Sequence, residues 1–151
     1  MTSILKVNSI QTAAGKPIVN DTGSVLQVKQ QTSTSATEAT TDWTAVLPTI
    51  SITPSASSSE VLLNFTAPGM TNNCLDAGFR LKRGSTVIWT NDRYGYNNEA
   101  TWESLTFVCN YLDSPATTSP TTYTWEIKEQ QGEVRLNDTG TAVAIAMEIA
   151  G

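Results

Sequence analysis

The triplet Asp-Thr-Gly occurs twice, at Asp21-Thr22-Gly23 and Asp138-Thr139-Gly140. Two such triplets are what paired-carboxylate peptide hydrolysis requires, because like charges held close together share one proton. The flanking residues argue against that chemistry. A catalytic aspartate of this kind follows apolar residues in a buried strand, whereas Asn20 and Asn137 precede these two and make both copies solvated turns. A chain of 151 residues is also too short for the two-lobed enzyme, and the one-lobed form needs a single triplet per subunit.

Histidine is absent, which removes Ser-His and Cys-His nucleophile pairs and every imidazole metal site. Cys74 and Cys109 are the only cysteines. One stands beside an Asn-rich turn and the other in an apolar strand, so two separate thiols are expected rather than a disulfide. Asp, Asn and Gly do not fall in a D-x-D-x-D-G calcium pattern. Glu99 and Glu103 lie four apart with nothing to place them across a sugar, and read as surface charge. The Asn-x-Thr tripeptides at Asn20, Asn64 and Asn137 arise by chance in a Thr-rich chain. No enzymatic activity, cofactor or metal is expected.

One stretch has binding potential. Trp89, Tyr94, Tyr96 and Trp102 fall within an Asn-rich segment, and exposed aromatic rings stack on apolar surfaces while offering a hydrogen-bonding edge, as carbohydrate and protein interfaces require. The competing reading makes Trp89 and Trp102 core residues and Tyr94 and Tyr96 a loop plug.

The elements that must position these residues are strands. Ser and Thr occupy 38 positions while charged residues make up only 15%, a composition that suits strands and polar loops better than solvated helices. The net charge of -5 argues against nucleic acid, whose phosphates are bound by clustered Lys and Arg. No apolar run reaches membrane-spanning length, and the first residues lack the pattern of a signal peptide, so neither a membrane nor export is expected and synthesis takes place in a cytoplasm.

Period-two alternation recurs along the chain. It predicts strands at Ser24–Gln31, at Ile50 and Ile52, at Val61 to Phe65, at Trp102–Leu112 and at Thr141–Ala150. Hairpins are predicted at Ile50–Phe65 around Pro54 to Ser59, at Phe79–Trp89 around Arg83-Gly84-Ser85, and at Thr124–Asn137 around Gln130-Gln131-Gly132. Ala67–Asn73, Asn91–Thr101 and Asp113–Thr122 read as loops, and Thr32–Thr41 as a loop or polar edge strand. In the last strand Val143, Ile145, Met147 and Ile149 alternate with Ala142, Ala144 and Ala146. The bulky side is expected to enter the core, and the alanine side to allow close approach of another sheet or another subunit. Eight to ten strands without helices predict an all-β, antiparallel β-sandwich of jelly-roll type over residues 24–151. Residues 1–23 carry Ile4, Leu5, Val7, Ile10 and Ile18 around a Gly15 and Pro17 turn. These are too few for a core, which leaves two readings, an extended arm that attaches to a partner or an ordinary first strand pair tucked onto the chain's own domain.

Four stretches carry a family resemblance. ILKVNSIQTAAGKPI (Ile4 to Ile18), ITPSASSS with the apolar strand after it, GFRLKRGSTVI (Gly78 to Ile88) and YLDSPATTSPTTYTWEI (Tyr111 to Ile127) resemble segments of short virion structural proteins of tailed phages of marine cyanobacteria and other marine bacteria. The resemblance implies a homotrimeric capsid decoration protein whose arm holds a neighbour such as the major capsid protein. The alternative is a tail-fibre or receptor-binding protein that contacts tail proteins and host surface glycans. Either implies a place in the virion after synthesis in a bacterial host cytoplasm.

Overall fold

The computed structural model describes residues 22–151, and these form eight strands and no helix. The candidate arm residues Ile4, Leu5, Val7, Ile10 and Ile18 lie outside the described residues. The strands are β1 (Val25–Ser33), β2 (Thr37–Glu38), β3 (Thr44–Ile52), β4 (Glu60–Arg83), β5 (Thr86–Asp113), β6 (Thr121–Glu129), β7 (Glu133–Leu136) and β8 (Ala142–Ile149).

Their pairing is a ribbon of four long antiparallel tracks folded on itself. β4 and β5 form a hairpin that pairs from Val61↔Asp113 to Arg83↔Thr86. Along the other edge of β4 run β8, β7 and β6 in turn, opposite Glu60–Thr66, Gly69–Asn72 and Ala77–Arg83. Beyond them β1 pairs β8, β2 pairs β7 and β3 pairs β6. Register breaks along β4–β5 between Asn72 and Phe79 bend the ribbon. One layer is then β1-β8-β4-β5, built on the first part of β4, and the other is β3-β6-β4-β5, built on its last part. The expected antiparallel sandwich of jelly-roll type is what the chain forms.

The two inner faces meet in an aromatic core. Phe65 of the first layer stacks on Trp125 of the second, with ring centroids 4.6 Å apart, and Phe79 meets Phe107 edge-on at 5.3 Å. Val61, Leu63, Ile50, Ile52, Leu81, Tyr123 and Ile127 are all buried around them. Each comes from an alternating position of its strand, the pattern that a half-buried sheet dictates.

Only the central predicted hairpin has the expected form. Its turn at Gly84-Ser85 uses a positive φ of 55° at Gly84, which glycine adopts without the clash a Cβ would bring. The strands flanking Pro54–Ser59 exist but do not pair: β3 is bonded to β6, and β4 begins in the opposite layer beside β8. The segment therefore crosses between the two layers. Nor is Gln130-Gln131-Gly132 a hairpin, because β6 and β7 follow one another along the same edge of β4. A Cβ at Gly132 would lie 2.1 Å from the Asn73 carbonyl oxygen, so this glycine lets the jog lie flat against β4 instead of reversing the chain. The segments 67–73 and 91–101, expected as loops, lie inside β4 and β5, where two strands pairing over their whole length override local turn preference. Pro48 has no N–H to donate and sits where the β3–β6 ladder is interrupted, between Val46 and Ile50.

The expectation for the last strand is reversed. Ala142, Ala144 and Ala146 are fully buried, whereas Val143, Ile145, Met147 and Ile149 are half-exposed on the outside. β3 of the facing layer lies against β8, and alanine leaves room for that approach. Of the two partners expected for the alanine side, the close neighbour is another sheet, and these residues are no surface for another subunit.

Candidate functional site

The aromatic segment of β5 divides in two. Tyr94 lies parallel to Phe107 at 5.0 Å and edge-on to Phe79 at 5.2 Å. Its hydroxyl donates to the Val108 carbonyl oxygen at 3.0 Å and accepts from the Val108 N–H at 2.7 Å, so both polar ends are satisfied within the fold. Trp89 packs edge-on against Phe79 at 5.7 Å. These two belong to the core. Tyr96 and Trp102 remain outside, 65% and 40% exposed.

Trp102 has a fixed companion. The Arg135 guanidinium lies 4.8 Å from the indole centroid, while its Nη2 is 3.1 Å from a Glu133 carboxylate oxygen and 3.8 Å from one of Glu38. Arg135 and Glu38 also line a shallow hollow with Ala36, Thr37 and Asp138. An incoming anion would compete with carboxylates already paired to this arginine, so the cluster does not form an anion site. Asp138 is exposed in its turn, in agreement with the reading of the second Asp-Thr-Gly as solvated. Glu99 and Glu103 are likewise exposed. Asp21 lies outside the described residues.

The thiols are separate and buried. Burial pushes Cys109 up to about 11 and also raises Cys74, so neither is a thiolate at neutral pH and neither has the reactivity of a nucleophile.

Two buried carboxylates fasten the open end of the folded ribbon. Asp113, at the end of β5 in the first layer, accepts from Arg83 Nη1 at 2.9 and 3.0 Å and from the Tyr123 hydroxyl at 2.7 Å. Both partners stand in the second layer. Burial and this bond to Asp113 together hold the Tyr123 hydroxyl protonated well above its usual range. Glu148 is fully buried at the end of β8, in phase with the alanines. It accepts from the Ser55 N–H and Oγ and from Gln27 Nε2, each at 2.6 Å. Burial alone would raise its carboxyl, but these donors outweigh burial and lower it to about 2. Ser55, in a segment that reads as a simple strand stop, thus ties the crossing at 53–59 to the first layer. Local patterning carries no signal of either fastening, since the partners lie 10 to 93 residues apart in sequence except for the more distant Gln27.

The outer faces of the two layers differ in kind. On the first layer, register aligns Val28, Met147, Leu62 and Leu112 in one row across β1, β8, β4 and β5. Thr32, Val143, Thr66 and Val108 form another, with Gln30, Ile145, Asn64 and Asn110 between them. None of these twelve carries a charge. Val28 is 57% and Leu112 49% exposed. On the second layer, Arg80 and Lys82 pair with Glu126, and Lys128 pairs with Asp92 at 3.1 Å. The Arg80 guanidinium and Lys128 ammonium lie 4.2 and 4.7 Å from the Trp43 ring centroid. The strict alternation of Thr141–Ala150 carries the signal of the uncharged face, with the bulky side outward.

No family model matches the chain, and no curated protein matches it in sequence. Solved structures do. A chain in the structure of infectious bursal disease virus, Gx strain, superposes with a TM-score of 0.51 at 14% identity over 96% of this chain. The infectious bursal disease virus VP2 subviral particle gives 0.41 at 15% identity, covering 85% of this chain and 34% of that one. The present chain spans 37% of the Gx-strain chain. At this identity the likeness is one of fold: the jelly-roll sandwich formed here is also formed within a chain of a virus particle.

Proposed function

We propose that this protein is a non-enzymatic structural component of a tailed-phage virion, a homotrimeric decoration protein that adds to the assembled head and braces it. The fold likeness to a chain of a virus particle carries the virion reading. The motif resemblance carries the tailed-phage part. The chemistry fits a role exercised through shape: the thiols are suppressed, and the buried carboxylates are engaged in holding the two layers together. The arm at residues 1–23 is assigned to attachment on the major capsid protein.

Separating heads from tails of purified particles, followed by peptide mass spectrometry, tests this reading. The chain is expected with the heads, and deletion of residues 1–22 is expected to abolish its incorporation. The exposure of Tyr96 and Trp102 favours a second reading, a tail-fibre protein that binds host glycans. Recovery with the tails, together with glycan-array binding lost on Trp102→Ala, would establish that alternative.

A further inference from the structure

The long strands of the sandwich leave open edges, and among the described residues most of them carry a visible defence. β1 pairs β8 alone, and it has Lys29 and a register break between Val25 and Gln27. β3 pairs β6 alone, and it has Pro48 in an interrupted ladder. β5 pairs β4 alone and is therefore an edge of both layers. Its second-layer half has Asp92, Arg93 and register breaks opposite Cys74 to Phe79. Charge, proline and bulges are the usual means of keeping an edge from pairing with another chain. The first-layer half of β5 has none of them. Ser104–Leu112 carries no charge, proline or glycine, and its ladder is unbroken from Met70↔Ser104 to Leu62↔Leu112. An uncharged strand of this kind on an open edge is a pairing hazard.

What this edge has instead is Tyr94. A residue of an antiparallel strand points its N–H and C=O to one side, and the next residue points them to the other. The N–H and C=O of Val108 both meet the Tyr94 hydroxyl, at 2.7 and 3.0 Å, so they face away from β4. Those of Thr106, Asn110 and Leu112 face the same way. Tyr94 itself belongs to the second-layer half of β5, and its ring is held against Phe79 and Phe107. We propose that the Tyr94 hydroxyl is a guard that keeps the first-layer edge of β5 from taking up the same edge of another copy. Laid antiparallel about Val108, the segment matches itself, with Thr106 opposite Asn110 and Ser104 opposite Leu112, and no charge meets another. The net charge of -5 repels copies at a distance but is largely screened beyond about 8 Å in physiological salt, whereas strands pair at about 4.8 Å. Val108 is the centre of that pairing. A hydroxyl on its N–H and C=O takes the central bonds and stands where the incoming strand would lie.

The inference concerns the folded chain and does not rest on the place in the virion or on its oligomeric state there. Sedimentation velocity of the full chain in physiological salt, over a concentration series, tests it. Tyr94→Phe removes the hydroxyl and keeps the ring in the core. The concentration at which half of the material enters species larger than those of the unaltered chain is expected to fall about tenfold or more, with unchanged circular dichroism. Tyr96→Phe, which removes an exposed hydroxyl from the same strand, is expected to sediment like the unaltered chain. Adding Val108→Pro to Tyr94→Phe takes away the outward N–H without touching the ladder to β4, and is expected to restore the unaltered profile. If the proline variant misfolds, Asn110→Lys, which puts charge on the edge, serves in its place. Tyr94→Phe that sediments like the unaltered chain overturns the inference. So does association that Tyr96→Phe shows equally, or that persists with Val108→Pro and with Asn110→Lys, because it then runs through another surface.

Discussion

The outer faces of the two layers come from one folded ribbon and share two long strands, yet they are finished in opposite ways. Where β4 runs through the second layer its outward residues are Arg80 and Lys82, and Glu126 of β6 lies between them. Earlier in the same strand the outward residues are Leu62, Asn64 and Thr66, beside Met147, Ile145 and Val143. The inner sides of both stretches are equally apolar, with Val61, Leu63 and Phe65 matched by Phe79 and Leu81. The core therefore cannot explain the difference. What differs is composition: the second-layer outside is a charged ladder stacked on Trp43, whereas the first-layer outside mixes aliphatic, amide and hydroxyl side chains without charge.

Substitutions can break this comparison, and the largest effect belongs to the inner side. Ala144→Leu should destabilise the fold by about 1–3 kcal/mol, because the space between β8 and β3 is already filled. Ile145→Ala, one residue away on the outside, should cost clearly less in the same urea titration. Equal losses would mean that the two sides of β8 are not distinct.

Next is the fastening at the end of that strand. Glu148→Gln leaves the buried Ser55 and Gln27 donors facing an amide, and the expected loss is about 1–3 kcal/mol. The sign of the pH dependence follows from the lowered carboxyl. Its stabilisation is complete above the ordinary value of 4.5 and is lost as pH falls from there through about 2. Thermal melts of the unaltered chain should decline over that window, and Glu148→Gln should remove this part of the decline.

On the second-layer exterior, Glu126→Ala should cost about 1 kcal/mol or less, because Arg80 and Lys82 keep access to water. The loss should shrink further in high salt. Smallest of all, Val28→Lys and Thr90→Lys should each change monomer stability by no more than about 0.5 kcal/mol. Urea titration of dilute protein checks both values.

Alternation of residue types determined much of this molecule by itself. It established that the chain is all-β, placed most strands, located the Gly84 turn and set Val143, Ile145 and Met147 on one side of β8 with Ala142, Ala144 and Ala146 on the other. The Asn before Asp138 likewise marked that triplet as a solvated turn, and Asp138 is exposed. A period of two divides a strand into two sides, but which side turns inward depends on what stands opposite, and here β3 of the facing layer lies against the alanine side.

Pairing was equally beyond local reading. A turn former marks a change of direction without saying whether the chain reverses, as at Gly84, jogs along one neighbour, as at Gly132, or crosses between layers, as around Ser55. The same holds for Asp113 and Glu148, whose partners are distant along the chain, and for the split of the four aromatics into core (Trp89, Tyr94) and surface (Tyr96, Trp102). Long-range contacts alone bring these groups together, so tertiary structure decided them.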